Sequence, residues 1–263
     1  MTELSFGFSP CPNDTFAFHA LAEKIVGGPL TVRPVMDDIE ALNRRAHHGE
    51  LELTKLSFGA LAALGDEYVP LRAGAALGRG VGPLVVAREA VSLTDAAAGP
   101  IAIPGRDTTA FLLLKLAVGE ALGEVIELRY DEVLGAVQRG DVAAGLIIHE
   151  SRFTYADHGL VKVADLGEWW EAHTGMPVPL AAICARRDVD VATRNLAEQA
   201  LRASVEHAFA HPDASAAFVR ANAQEMSADV CRQHIDLYVN EFTIDLGDEG
   251  LAAIDALLKA AQS

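Results

Sequence analysis

Cysteine is scarce in this sequence: Cys11, Cys184 and Cys231 are the only three in 263 residues. An odd number at wide spacing offers neither a zinc pattern nor a disulfide framework, so a reducing compartment is the simpler expectation. Positive charge is also short. Lys and Arg number 21 against 37 Asp and Glu, a formal net charge of −16. That balance argues against nucleic acid or an anionic membrane as partner, but not against a small anion, which responds to local groups. No apolar run approaches the roughly 18 residues of a membrane span. The nearest, "FLLLKLAV", is interrupted by Lys115. The opening "MTELSFGFSP" lacks the basic and apolar regions of a secretory signal. Together these absences predict a cytoplasmic protein. Glycine, finally, is missing between Gly175 and Gly247, where Ala, Glu, Gln, Leu and Arg dominate. These are good helix formers, and a helical C-terminal third is expected.

What is present is a hydrophobic content of 51%, enough for a substantial core. Strand-like and helix-like segments alternate. "LSFGF" (4–8), "LTVRPVM" (30–36) and "LELTKLS" (51–57) read as strands, followed by "VPLRAGAAL" and "GPLVVAR". "DTFAFHALAEKIV" (14–26), with Asn13 or Asp14 as its cap, and "DIEALNRRAHH" (38–48) read as helices. A second series begins near residue 100: strand "IAIP", helix 108–122, strand "IELRY", helix 131–139, strand "AAGLII". The alternation predicts an α/β fold with a largely parallel sheet.

The two series echo each other. "NDTFAF" (13–18) opens one first helix and "RDTTAF" (106–111) the other. "HHGELELTKLS" (47–57) parallels "QRGDVAAGLIIH" (138–149), and "PLVVARE" (83–89) parallels "PLAAICARR" (179–187). These pairs suit two similar lobes joined by two crossing strands, with residues 1–88 plus 190–263 in one and 89–189 in the other. The ligand is then expected between them, at the C-terminal ends of the strands.

Candidate site residues follow from that placement. His149 ends an apolar strand, where an imidazole could act as a general base or be a satisfied strand-end histidine. His149–Glu150 is not an HExxH motif, and neighbouring strand residues face opposite ways, so no metal is expected there. Lys55 and Ser57 occupy the matching strand end in the first lobe. In "IPGRDTTAF" the helix starts near Thr108, and the amides of Thr109 and Ala110 suit a carboxylate, with Thr108 and Thr109 adding hydroxyls. Ordinary capping by Asp107 or Thr108 is the plainer alternative. Cys11 in "GFSPCPNDTF" is a nucleophile only if exposed, and otherwise a small packed residue. The glycines of "LGRGVGPL" mark a backbone bend. Trp169 and Trp170 line a pocket or pack in the core, and His47–His48 reads as a solvated helix end.

"GFSPCPNDTF", "LTKLS", "ALGRGVGPLVV", "PGRDTTA", "GLIIHESRFTY" and "DLGEWWEAHTG" in this order resemble the 1,4-dihydroxy-6-naphthoate synthases of the futalosine route to bacterial menaquinone. The resemblance spans residues 4 to about 187. It implies a two-lobed type II periplasmic-binding-protein-like fold. It implies a carbon–carbon lyase that cleaves cyclic dehypoxanthinylfutalosine to 1,4-dihydroxy-6-naphthoate and dihydroxyacetone, with no metal or organic cofactor. The general base of the family falls on His149, and its substrate contacts on Lys55, Leu56, Ser57, Thr109 and Ala110. Asp107, beside an anion site, must point away or serve as a cap. A solute-binding or sensor protein of the same fold, and a chorismate dehydratase-like enzyme of the same pathway, are the rival expectations.

Overall fold

The computed structural model describes residues 2–223 and 227–262. Its first series runs β1 (Thr2–Phe8), α1 (Pro12–Ala22), β2 (Leu30–Met36), α2 (Ile39–His47), β3 (Leu53–Ser57), α3 (Phe58–Leu64), β4 (Tyr68–Pro70) and β5 (Ala76–Gly78). The second runs β6 (Leu84–Ala87), α4 (Leu93–Ala98), β7 (Ile101–Ile103), α5 (Thr109–Val118), β8 (Val125–Glu127), α6 (Val133–Arg139), β9 (Ala144–Ile147), α7 (Ser151–Thr154), β10 (Val161–Asp165), α8 (Leu166–Thr174) and β11 (Val178–Arg186). The C-terminal third is helical: α9 (Val191–Ala210), α10 (Ala216–Asn222), α11 (Ala228–Tyr238), α12 (Glu241–Ile244) and α13 (Gly247–Ala260). Part of that expectation, residues 224–226, lies outside the described residues.

The strands form two sheets, ordered β2-β1-β3-β11-β4 (with β5 beside β11) and β8-β7-β9-β6-β10. Written this way they are one arrangement used twice. In each, the first strand lies between two parallel neighbours, β2 and β3 for β1, β8 and β9 for β7. In each, the next strand is antiparallel and enters directly from a strand of the other sheet: β11, following β10, beside β3, and β6, following β5, beside β9. These are the segments expected to cross. Because both run back against their neighbours, the sheets are mixed rather than largely parallel. "VPLRAGAAL" folds as two short strands, β4 and β5.

Local sequence explains the elements that hold the site. β3 is buried on both faces, which suits an apolar strand with neighbours on either side. Phe6 and Phe8, on one face of β1 with ring centroids 5.0 Å apart, pack against Phe18 of α1 at 5.4 and 5.7 Å. α1 is buried nearly all round because α9, α10 and α11 cover it. Ser204 of α9 satisfies that burial, donating to the Ala17 carbonyl at 2.8 Å and accepting from the Leu21 amide at 3.1 Å. α1 starts earlier than expected. Pro12 takes the first helical position, which its fixed φ favours, and Cys11, not Asn13 or Asp14, is the cap residue. The "LGRGVGPL" bend passes hard against α8: a Cβ on Gly82 would lie 2.1 Å from the Gly167 amide nitrogen. Among the described residues, no helix is long and apolar enough to cross a membrane.

Candidate active site

The C-terminal ends of β1, β3, β7 and β9 converge on one cavity. Asn13, Lys55 and Ser57 line it from the first sheet, and Thr108, Thr109, Ala110, Ile148 and His149 from the second. Every expected site residue except Leu56 is there. Leu56 points to the opposite face of β3, as strand alternation demands, and is 1% exposed within the main core.

One end of the cavity is built from donors. α5 begins at Thr109 with Thr108 as its cap. The Thr108 hydroxyl accepts from the Phe111 amide at 3.1 Å and donates to the Gly105 carbonyl at 2.8 Å. The Thr109 hydroxyl donates to the Leu180 carbonyl at 2.6 Å and accepts from the Gly59 amide at 3.3 Å. Both hydroxyls are therefore occupied, contrary to the expectation that they serve a ligand. The amides of Thr109 and Ala110 have no carbonyl to bond within the helix, since they stand in its first turn. Ser57 supplies a further donor. Its amide donates to Asn43 Oδ1 at 3.0 Å, and its Oγ accepts from Asn43 Nδ2 at 3.1 Å. The hydroxyl proton of Ser57 is left for another acceptor. Gly59 permits the two helix starts to meet: a Cβ there would lie 2.6 Å from the carbonyl oxygens of Asp107 and Thr108. Asp107 points away, its Oδ2 lying 3.0 Å from His47 Nε2, so His47 has a partner rather than only solvent.

The other end centres on an ion pair. Lys55 contacts Asp14, both buried. Asp14 also accepts from the Ser9 amide (2.9 Å), the Ser9 hydroxyl (2.8 Å) and Asn13 Nδ2 (2.9 Å). That coordination explains why Asp14 does not cap α1. His149 stands two residues beyond β9, at φ 56°. This left-handed bend turns the chain into α7, and Arg152 anchors that helix by bonding Gly82 O and, at 2.7 Å, Asp165.

His149 Nδ1 lies 3.5 Å from Cys11 Sγ, the Tyr130 ring meets its edge at 4.9 Å, and Nε2 is buried without a partner. Burial, then the Lys55 charge, pushes its pKa down to about 4 against the opposing pull of Asp14. The ring is neutral near pH 7. Cys11 is buried, not exposed, and burial followed by the Glu150 charge pushes its thiol up. It is no activated nucleophile. The bend breaks strand alternation, and so Glu150, His149 and Cys11 bring donor atoms within 4.8 Å of one another. Such a set could hold a divalent ion only with the thiol ionised, which burial and the nearby carboxylate oppose.

Some cavity residues escaped the sequence pattern. His234 and Tyr238 reach the cavity from α11 in the helical third. Their spacing of four residues on a helix, beside buried Cys231, is the one signal that marked this face. Asn43, fully buried on α2 and holding Ser57 from behind the cavity wall, had none. Trp169 and Trp170 are not on the cavity wall. Trp170 is buried and donates to the Pro177 carbonyl at 3.1 Å, and Trp169 packs against His173.

Two curated relatives match over the full chain. A protein of Thermus thermophilus named 1,4-dihydroxy-6-naphthoate synthase is 51% identical over 264 residues, covering 100% of this chain and 95% of its own. A Streptomyces coelicolor protein of the same name is 46% identical, covering 98% and 92%. A solved structure from Archaeoglobus fulgidus superposes with a TM-score of 0.93 at 37% identity, covering 99% and 97%. The periplasmic aliphatic sulphonate binding protein of Escherichia coli, at 16% identity and TM-score 0.68, covers 100% and 86% and shows the fold alone. The fold is thus a mixed α/β one of the periplasmic-binding-protein type. A family model described as menaquinone biosynthesis matches residues 4–263, and this chain belongs to that family.

Proposed function

We propose that this chain is an enzyme of menaquinone biosynthesis, a carbon–carbon lyase that cleaves cyclic dehypoxanthinylfutalosine to 1,4-dihydroxy-6-naphthoate and dihydroxyacetone. The names of the two full-length relatives support the reaction. The observation that carries it is the pairing, in one cavity, of anion donors from both sheets with a neutral, buried histidine. The substrate carboxylate binds to the Ser57 hydroxyl and the amides of Thr109 and Ala110, at the positive end of α5. This gives an acidic protein a local site for an anion. His149, with Nδ1–H toward Cys11, presents Nε2 as the base that takes the proton starting fragmentation. Burial, and after it the Lys55 charge, keeps the imidazole uncharged until substrate arrives.

Two lobes correspond to the two sheets. Sheet membership supports placing the divisions before β6 and before β11, somewhat earlier than residues 88 and 189, with the helical third beside the first sheet. Incubating the protein with the cyclic substrate and detecting the naphthoate by mass tests the activity. Binding without turnover would favour a solute-binding role and overturn the proposal.

A further inference from the structure

His234 has no part in the proton transfer or carboxylate binding described above, yet it is 1% exposed on the cavity wall. Its ring packs on Tyr238 at 4.7 Å and lies beside His149, centroids 6.2 Å apart and planes 22° from parallel. Nε2 is 2.9 Å from Asn13 Oδ1, and Nδ1 is buried without a partner.

The neighbouring contacts fix which nitrogen carries the proton. Asp14, paired with Lys55, can only accept, so it takes Nδ2 of Asn13 and turns Oδ1 toward His234. An amide oxygen also only accepts, so His234 Nε2 must be the donor. Burial, then the neighbouring His149 and Lys55, holds the pKa of His234 well below its ordinary value, so the ring is neutral. Nδ1 is therefore a bare lone pair. A buried acceptor left without a donor is costly, and here it belongs to a residue on a cavity wall. A ligand hydroxyl is the group that relieves it.

We propose that Nδ1 of His234 accepts a hydrogen bond from a substrate hydroxyl and so positions the three-carbon portion that leaves as dihydroxyacetone. The identity of that portion rests on the function proposed above. The carboxylate and aromatic rings are assigned to the Ser57–Thr109 end. The leaving fragment, which bears hydroxyls, is the part that reaches the paired histidines. The tautomer and the unpartnered nitrogen stand independently of that assignment.

Two substitutions separate the two nitrogens. The side-chain amide of Asn reaches about where Nδ1 lies, and that of Gln about where Nε2 lies. His234→Gln keeps the contact to Asn13 and loses the acceptor. His234→Asn keeps the acceptor and loses the contact. We expect kcat/KM for the cyclic substrate to fall about 10- to 100-fold in His234→Gln, and about threefold in His234→Asn. Affinity for the naphthoate product, which lacks the fragment, stays at the parent value in both. Nitrogen NMR of the histidine-labelled parent is expected to show His234 protonated at Nε2 alone.

A proton on Nδ1 overturns the inference even if the variants fail to fold. So does a folded His234→Gln with parental kcat/KM, or a folded His234→Asn no better than it. A parent protein that leaves the substrate uncleaved overturns the proposed function and the fragment assignment, and the NMR result distinguishes that failure from an error about the ring.

Discussion

Replacing His149 by Asn separates what the residue does from what it costs. Its φ of 56° places a side chain with a Cβ in the left-handed region, at a cost of roughly 1–2 kcal/mol. Asn adopts that conformation more readily than most residues. It should recover up to about 1 kcal/mol at neutral pH, or about 2–4 °C in Tm for a chain near this size. A second cost depends on pH. The imidazole titrates near 6.5 when unfolded and at about 4 when folded. As pH falls through 6.5 the unfolded chain gains a proton that the folded one refuses. Stability is therefore lost between those values, by up to about 3 kcal/mol. Asn has no such loss. The burial that depresses His234 is present in both proteins, and removing the neighbouring His149 relieves part of that penalty, which adds to the variant's advantage at low pH. The Tm advantage of His149→Asn should therefore widen from pH 7.5 to pH 4.5. Turnover should meanwhile fall roughly 10²–10⁴-fold, the span for losing a general base. Calorimetry at the two pH values and naphthoate formation by mass measure both effects. A folded variant with near-parental turnover would refute the base assignment. A variant equally destabilised at both pH values would refute the account of strain and burial.

Thr109→Pro tests the carboxylate site. The preceding Thr108, at ψ 148°, is already extended as a residue before proline must be. Because Thr109→Pro also breaks the hydroxyl bridge to Leu180 and Gly59, Thr109→Val is its control. By calorimetric titration, a carboxylate ligand should bind the Pro variant weaker than the Val variant by about 1–3 kcal/mol, the worth of a charge-assisted hydrogen bond. Equal affinities would remove the amide from the site. Substrate charge should also raise the pKa of His149 in the complex. The acid limb of kcat is expected at higher pH than that of kcat/KM, which should fall toward about 4. The reverse order, read from pH–rate profiles, would show that another group titrates.

Residues whose role follows from local pattern were legible, and those whose role depends on distant partners were not. Ser57, Thr109 and Ala110 could be placed because strand ends and helix starts leave marks: an apolar run that stops, a capping hydroxyl, a glycine turn. Leu56 came along with its segment, and alternation alone should have turned it inward. His149 was legible as a strand-end residue but not as a left-handed bend, because the enrichment of histidine in that conformation is too weak to mark one and no glycine or Asn stands at the turn of "AAGLIIHE". The same bend defeated the argument that His149 and Glu150 face opposite ways. His234 and Asn13 are 221 positions apart, and no periodicity encodes such a bond. Patterns of apolar residues report burial, which is local. Hydrogen-bond completion is settled only when the chain has closed. The strained φ of His149 and the unpartnered nitrogens of His149 and His234 are places where folding leaves local preference unmet. All three meet in one cavity, beside donors that suit an anion. Packing alone gives no reason for such costs to gather there, whereas a ligand that satisfies them does.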